Sequence, residues 1–327
     1  MNRRVAPWRL ICATLPPSTA KVSVQLNPRH VEEYPGIWPQ VLRIAGAHLV
    51  SPALWSGLSR MNLDSRLPES AHQYLQSVHG MNAVRNVALL QQLDESILAL
   101  NNLGVVPMLI KGASYLKSSI FEDPASRITS DLDMVVMEHG IPTALEALQQ
   151  VGYNPVPRPG MDFTRHRHCA PMFRSGDYAC IELHRELVSE KLTAVLPLNE
   201  VWNASTEVCE DGLRYRTPSP THTLILSFLH NQIIDRRNET YAIGLRSIQD
   251  LLALDAAFGA RIDWEGIQSR LQAHGLHVGF QNYVFAATRA TGFLAPRRMH
   301  FGLQEQLYYG IAQARIRWRR LENVLAH

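Results

Sequence analysis

The chain has 327 residues, 46% of them hydrophobic and 19% charged, enough to bury a substantial core and to build more than one globular part. A formal net charge of +3 is too mild to imply polyanion binding unless basic residues cluster on one face, so charge alone leaves nucleic acid open. The four cysteines, Cys12, Cys169, Cys180 and Cys209, form no CxxC pair or His/Cys ligand spacing, which argues against a zinc site or a disulfide framework and for reduced thiols.

No run approaches the ~20 consecutive apolar residues of a membrane-spanning helix. The short apolar run Leu10 to Leu15 lacks a clean small-residue cleavage site, so we read no signal peptide and place the chain in the cytoplasm. The first ~35 residues are rich in Pro and Arg without sustained periodicity and predict an irregular arm or a strand-bearing lead-in. From Trp38 the pattern turns helical. Pro68-Glu69-Ser70 opens a long amphipathic helix to about Asn101, with Leu75, Val78, Val87, Leu90, Leu93 and Ile97 as its apolar positions.

Val105 to Ile110 is a short apolar run bounded by Gly104 and Lys111-Gly112 and predicts a buried strand. A helix over 113–121, a strand over 131–137, a helix from Pro142 to about Gln150 and a strand over 178–184 follow, the order of a small α/β sheet domain. Beyond Thr217-Pro218-Ser219-Pro220 the segments are again helical: 221–234, 241–258, 264–273, 278–291 and 303–326. The division is therefore 1–67 as arm and helix, 68–216 as the α/β domain and 217–327 as a helical domain.

The sharpest local feature is Asp131-Leu132-Asp133 ahead of Met134-Val135-Val136. Side chains alternate along a strand, so Asp131 and Asp133 share one face. Two carboxylates that close are unfavourable unless a cation or basic partner sits between them, and magnesium with nucleotide phosphates is an economical occupant. A solvated DxD at a strand start is the plain alternative. In Ile181-Glu182-Leu183-His184 the same alternation puts Glu182 and His184 on one face. If the two strands pair, Glu182 becomes a third carboxylate, and three can hold two magnesium ions for phosphoryl transfer. A salt bridge from Glu182 to Arg185 is the competing account.

Lys111-Gly112 at the end of the first strand offers a point charge and a close backbone approach to phosphate. Arg127 could clamp phosphate oxygens, or pair with Asp131 or Glu122. The loop Arg165-His166-Arg167-His168 suggests a metal or phosphate site, although alternating His and Arg more often mark a solvated surface. His230 on an apolar helix is more often a core histidine, and Arg246 with Asp250 fits an i,i+4 ion pair. The C-terminal Arg315, Arg317, Arg319 and Arg320, with Trp318 among them, form the strongest basic cluster, a solvated face or a nucleic-acid contact.

Taken in order, Lys111-Gly112-Ala113, Asp123-Pro124, Arg127, Ser130-Asp131-Leu132-Asp133, Gly152-Tyr153 and Glu182-Leu183-His184 resemble the uncharacterised nucleotidyltransferase family of the DNA polymerase β-like superfamily, over about residues 70–276. The resemblance implies an α+β fold, a small mixed-sheet nucleotidyltransferase domain flanked by N-terminal helices and a C-terminal helical domain. It implies Asp131, Asp133 and Glu182 as catalytic metal ligands for Mg2+, with Lys111, Gly112, Arg127, Ser130 and His184 around the nucleotide. The chain departs from the wider superfamily where Gly112-Ala113 replaces Gly-Gly or Gly-Ser.

The expected activity is magnesium-dependent transfer of an NMP from an NTP, ATP by preference, to a small molecule, a peptide or protein, or a tRNA, with release of pyrophosphate. A non-catalytic nucleotide-binding or scaffolding protein that keeps the fold is the second reading, and a nucleic-acid-binding module the third.

Overall fold

The computed structural model describes residues 6–15, 26, 31, 35–156, 160, 162–163 and 166–322. In chain order the helices and strands are α1 (Pro7–Thr14), α2 (Trp38–Ala47), α3 (Ser51–Arg60), α4 (Glu69–Asn102), β1 (Met108–Leu109), α5 (Lys111–Ser118), β2 (Leu132–Val135), α6 (Ile141–Gln150), β3 (Asn154–Pro155), β4 (Met172–Phe173), β5 (Ile181–His184), α7 (Leu198–Asn203), β6 (Thr206–Glu210), β7 (Leu213–Thr217) and α8 (Pro220–Phe228). A π-helical turn at Leu229–Ile234 then leads to α9 (Leu245–Phe258), α10 (Trp264–Ala273), α11 (His277–Thr291) and α12 (Leu303–Glu322).

Two compact units emerge: residues 1–78 together with 227–327, and residues 79–226. Sequence-level boundaries at 67 and 216 fall short of both junctions, and the two terminal segments enter one unit together. Within the stretch expected to be an irregular arm, Pro7 sets the first turn of a helix whose Leu10 and Ile11 are fully buried. The rest of that stretch lies almost wholly outside the described residues. In the same unit α1 packs on α2, α3 and α11, and Phe228 meets Phe280 edge to face at 5.2 Å between ring centroids.

The second unit is built on a seven-stranded mixed sheet of order β3-β4-β5-β2-β1-β7-β6. β2 pairs parallel with β5 and antiparallel with β1, and β1 pairs parallel with β7. The expected strands at 105–110, 131–137 and 178–184 are present as shorter ladders, while β3, β4, β6 and β7 add to what the sequence led us to expect. β6 and β7 form a hairpin through Asp211 and Gly212, both at positive φ.

The core of this unit joins Leu89, Leu93, Ile97 and Leu100 of α4 to Leu132 and Met134 of β2, Ile181 and Leu183 of β5, and Ala144 and Leu148 of α6. The i, i+4, i+8, i+11 spacing places those α4 side chains on one helix face. Val87, expected on that face, is 59% exposed, because the stripe runs through Leu89. Along the same face toward the N-terminus the buried residues are polar, Asn82 and Asn86, for a reason that belongs to the site.

Candidate functional site

The parallel register sets Asp133 directly beside Glu182 and Val135 beside His184. Backbone bonds from the Leu132 amide to the Cys180 carbonyl (3.0 Å) and from the Val136 amide to the His184 carbonyl (3.0 Å) fix that register. Alternation then puts Asp131, Asp133, Glu182 and His184 on one face, and ligand atoms of Asp133, Glu182 and His184 lie within 4.8 Å of one another. Asp131 falls outside that tight group. It sits just before β2, half-buried and hydrogen-bonded by Ser130, where burial and the charges of Glu182 and Asp133 raise its pKa.

Asp133 is 5% exposed in a central strand, a position that demands strong compensation. Lys111 Nζ donates to its Oδ1 at 2.6 Å and His184 Nε2 lies 2.8 Å from the same oxygen. Burial works to raise this carboxyl, but the Lys111 charge and the His184 hydrogen bond outweigh it and hold Asp133 well below the usual carboxylate range. Both contacts fall on Oδ1, which leaves Oδ2 for another partner. Lys111 reaches this position from a strained backbone, with φ at 50° where β1 turns into α5, and such strain costs on the order of 1–3 kcal/mol.

Glu182 is pushed up by burial and by Asp133, yet the nearby His184 ring, its Nε2 3.7 Å from Oε2, leaves its pKa lower than usual. Here the loop before β4 enters the site. His168 is bridged to His184 across the sheet, and its Nδ1 donates to the Cys169 carbonyl at 2.7 Å. Burial drives its pKa down to about 4. The ring is therefore neutral near pH 7, and its Nε2 lone pair faces Glu182 Oε2 at 3.9 Å, two acceptors without a proton between them. Sequence reading weighed a solvated surface against a metal or phosphate site for this loop; the burial of His168 comes from a β-bridge that no local pattern signals. Arg165, part of the same loop, lies outside the described residues.

Arg127 and Gly112 pack together beside the start of β2. Arg127 is 7% exposed, its guanidinium stacked over the Tyr115 ring at 4.8 Å and donating to Thr129 Oγ1 at 3.0 Å. A Cβ on Gly112 would stand 2.7 Å from Thr129 Cγ2 and 3.2 Å from Arg127 Nη1, so the glycine lets α5 close against this loop.

The loop itself is held by α4. Asn82 Nδ2 donates to the Ala125 and Arg127 carbonyls at 2.7 and 3.1 Å, and Asn86 Nδ2 to Pro124 and Arg127 at 2.8 and 2.9 Å. Arg85 donates to the Thr129 carbonyl and to Tyr178 O at 3.4 Å, and Gln92 to Ala179 O at 2.8 Å. One helix face thus grips the loops that feed both carboxylate strands. Sequence reasoning missed these four residues; the i, i+3, i+4 spacing of Asn82, Arg85 and Asn86 next to the apolar stripe was the available signal.

The donor set fits a divalent cation. Two carboxylates and an imidazole converge, burial and like charge raise the neighbouring Asp131, and a neutral imidazole presents its lone pair to Glu182. Residues 35–292 match the uncharacterised nucleotidyltransferase family, and the chain belongs to that family. The crystal structure of an antigenic nucleotidyltransferase-like protein from Paracoccidioides brasiliensis is similar over 64% of this chain and 92% of that one, at 18% identity and a TM-score of 0.35, too loose a superposition to carry an argument. Among curated proteins there is no match.

Proposed function

We propose that the chain transfers a nucleoside monophosphate from a nucleoside triphosphate, ATP by preference, to a hydroxyl or phosphate acceptor and releases pyrophosphate. The observation that carries this reading is the β2–β5 register, which sets Asp133 beside Glu182 in the middle of the sheet, next to the Lys111 ammonium and with Asp131 just ahead of β2. These carboxylates would hold a divalent cation, magnesium by our reading. When bound, that cation neutralises the triphosphate and lowers the pKa of the acceptor oxygen.

The protein's own groups position and balance charge. Lys111 and His184 keep Asp133 ionised in a buried strand, so the site keeps its negative charge without a proton. Asn82, Asn86 and Arg85 hold the 124–129 loop, and through it the start of β2, at a fixed place. The acceptor oxygen forms its bond to the α-phosphorus, the α–β phosphoanhydride bond breaks, pyrophosphate leaves with the electron pair, and the acceptor proton passes to a site carboxylate. Small molecules, peptide or protein hydroxyls and tRNA ends all satisfy that chemistry.

One observation favours nucleotide binding without turnover: the Lys111 ammonium already sits on Asp133, where a cation would otherwise be required. Purified chain incubated with each α-labelled NTP, magnesium and a cell extract separates the two. Label on an acceptor with wild type and none with Asp133→Asn supports transfer. Magnesium-dependent nucleotide binding with no label on any acceptor supports the non-catalytic reading.

A further inference from the structure

The helical unit contains a cavity of about 380 Å³ bordered by the end of α2, the segment from Arg237 to Ile243 and the last described side chains of α12. Its polar lining carries three arginines, Arg43 from one side beside His48, Arg237 from the second and Arg315 from the third, with no Asp or Glu among the described lining residues. Gathering like charges around one space is unfavourable unless an anion joins them. Neither Arg43 nor Arg315 has a carboxylate partner among the described residues, and Arg315 donates instead to the Thr240 carbonyl. Arg237 Nε is buried without a hydrogen-bond acceptor; the Asp235 carboxylate stands 3.9 Å away, beyond bonding reach.

The backbone here is also unusual. A π-helical turn at Leu229–Ile234 enters the segment, and Arg236 and Tyr241 adopt φ of 54° and 50° without being glycine. π-turns and strained non-glycine residues concentrate at binding sites, where the surroundings must over-determine them. The remaining wall is apolar, with Ile44, Ile243 and Ile316 beside the Tyr241 ring, which packs on Tyr308 at 5.3 Å.

We propose that this cavity binds a phosphate monoester carried on a flat apolar group, the chemistry of a mononucleotide, either free or as the 5′-phosphorylated end of an RNA. The arginines take the phosphate, the tyrosine and isoleucine wall takes the base, and the volume lies in the range of small-ligand sites. The proposal is independent of the transfer reaction, because its residues all belong to the helical unit and those of the carboxylate site to the sheet unit.

The test is calorimetric titration of the full chain in EDTA with AMP, with inorganic phosphate, and with 5′-phosphorylated and 5′-hydroxyl hexaribonucleotides. AMP is expected to bind one-to-one and at least tenfold more tightly than inorganic phosphate, to weaken at least tenfold in Arg43→Gln/Arg315→Gln, and to be unaffected by Asp133→Asn. Arg43→Glu, at an exposed residue, is the second variant if the double one fails to fold. Tighter binding of the phosphorylated oligomer than of AMP assigns the chain end; AMP binding without that gain assigns the free nucleotide. No saturable AMP binding, or equal binding by wild type and the arginine variants, overturns the proposal.

Discussion

Asp133 and its partners show how a buried charge is kept in a strand. Its lowered pKa means that the folded state holds the carboxylate ionised, so removing Lys111 leaves that charge poorly compensated. Lys111→Met is expected to destabilise the chain by about 3 kcal/mol in urea unfolding near pH 7, the cost of breaking a largely buried ion pair. A loss below about 1 kcal/mol would mean that the pair is solvated.

His168 gives a pH signature of opposite origin. Its folded pKa of about 4 lies below the ordinary 6.5, so between those values the unfolded chain binds a proton that the folded chain refuses. Stability of the metal-free protein should therefore be constant above pH 6.5 and fall as pH drops toward 4, by about 3 kcal/mol at most. In His168→Gln that slope should flatten when unfolding midpoints are compared across the same pH range.

At the scale of elements, α4 is more than a core helix. Its Leu89, Leu93, Ile97 and Leu100 were recoverable as an amphipathic pattern, but Asn82 and Asn86 occupy the same face as polar residues because they meet carbonyls of an irregular loop. Replacing Asn82 and Asn86 together with alanine should cost about 2–4 kcal/mol by leaving those carbonyls unpaired, and should lower transfer further than the stability loss explains. Gly112 yields a sharper test. Gly112→Ala should destabilise by about 1–3 kcal/mol, and adding Thr129→Ser, which removes the Cγ2 in the way, should restore part of it.

The same contrast explains what the sequence disclosed. β2 and β5 were legible because alternation and a buried apolar run are local properties, and with them three carboxylates on one face. The Asp211-Gly212 hairpin carried a local signal that the reading passed over, β6 being polar and mostly exposed and β7 burying only Leu213 and Tyr215. β3 and β4 are two residues each and owe their pairing to distant partners, so nothing within them announces a strand. Arg127 stood out in the sequence by its place in the motif series, but its stacking on Tyr115 depends on how α5 packs against the loop. The side chains of Arg317, Trp318, Arg319 and Arg320 lie outside the described residues, and Arg315 of that cluster lines the cavity of the helical unit.

Over the whole molecule the chain begins in the helical unit, forms the sheet unit over residues 79–226 and returns. No described helix is long and apolar enough to cross a membrane. Divalent metal should stabilise only a protein with an intact carboxylate site: at one hundred times the dissociation constant, binding to the folded state alone adds about 2.7 kcal/mol. Thermal unfolding with and without magnesium or manganese should show that gain in wild type and lose it in Asp133→Asn/Glu182→Gln.

Transfer of the α-phosphoryl group together with its nucleoside is tested by parallel reactions with α-labelled and γ-labelled ATP in the presence of magnesium and a cell extract. Label is expected on an acceptor from the α position only, with γ label recovered as pyrophosphate, and neither with Asp133→Asn. Acceptor labelling from the γ position, or α labelling undiminished in Asp133→Asn, would contradict it.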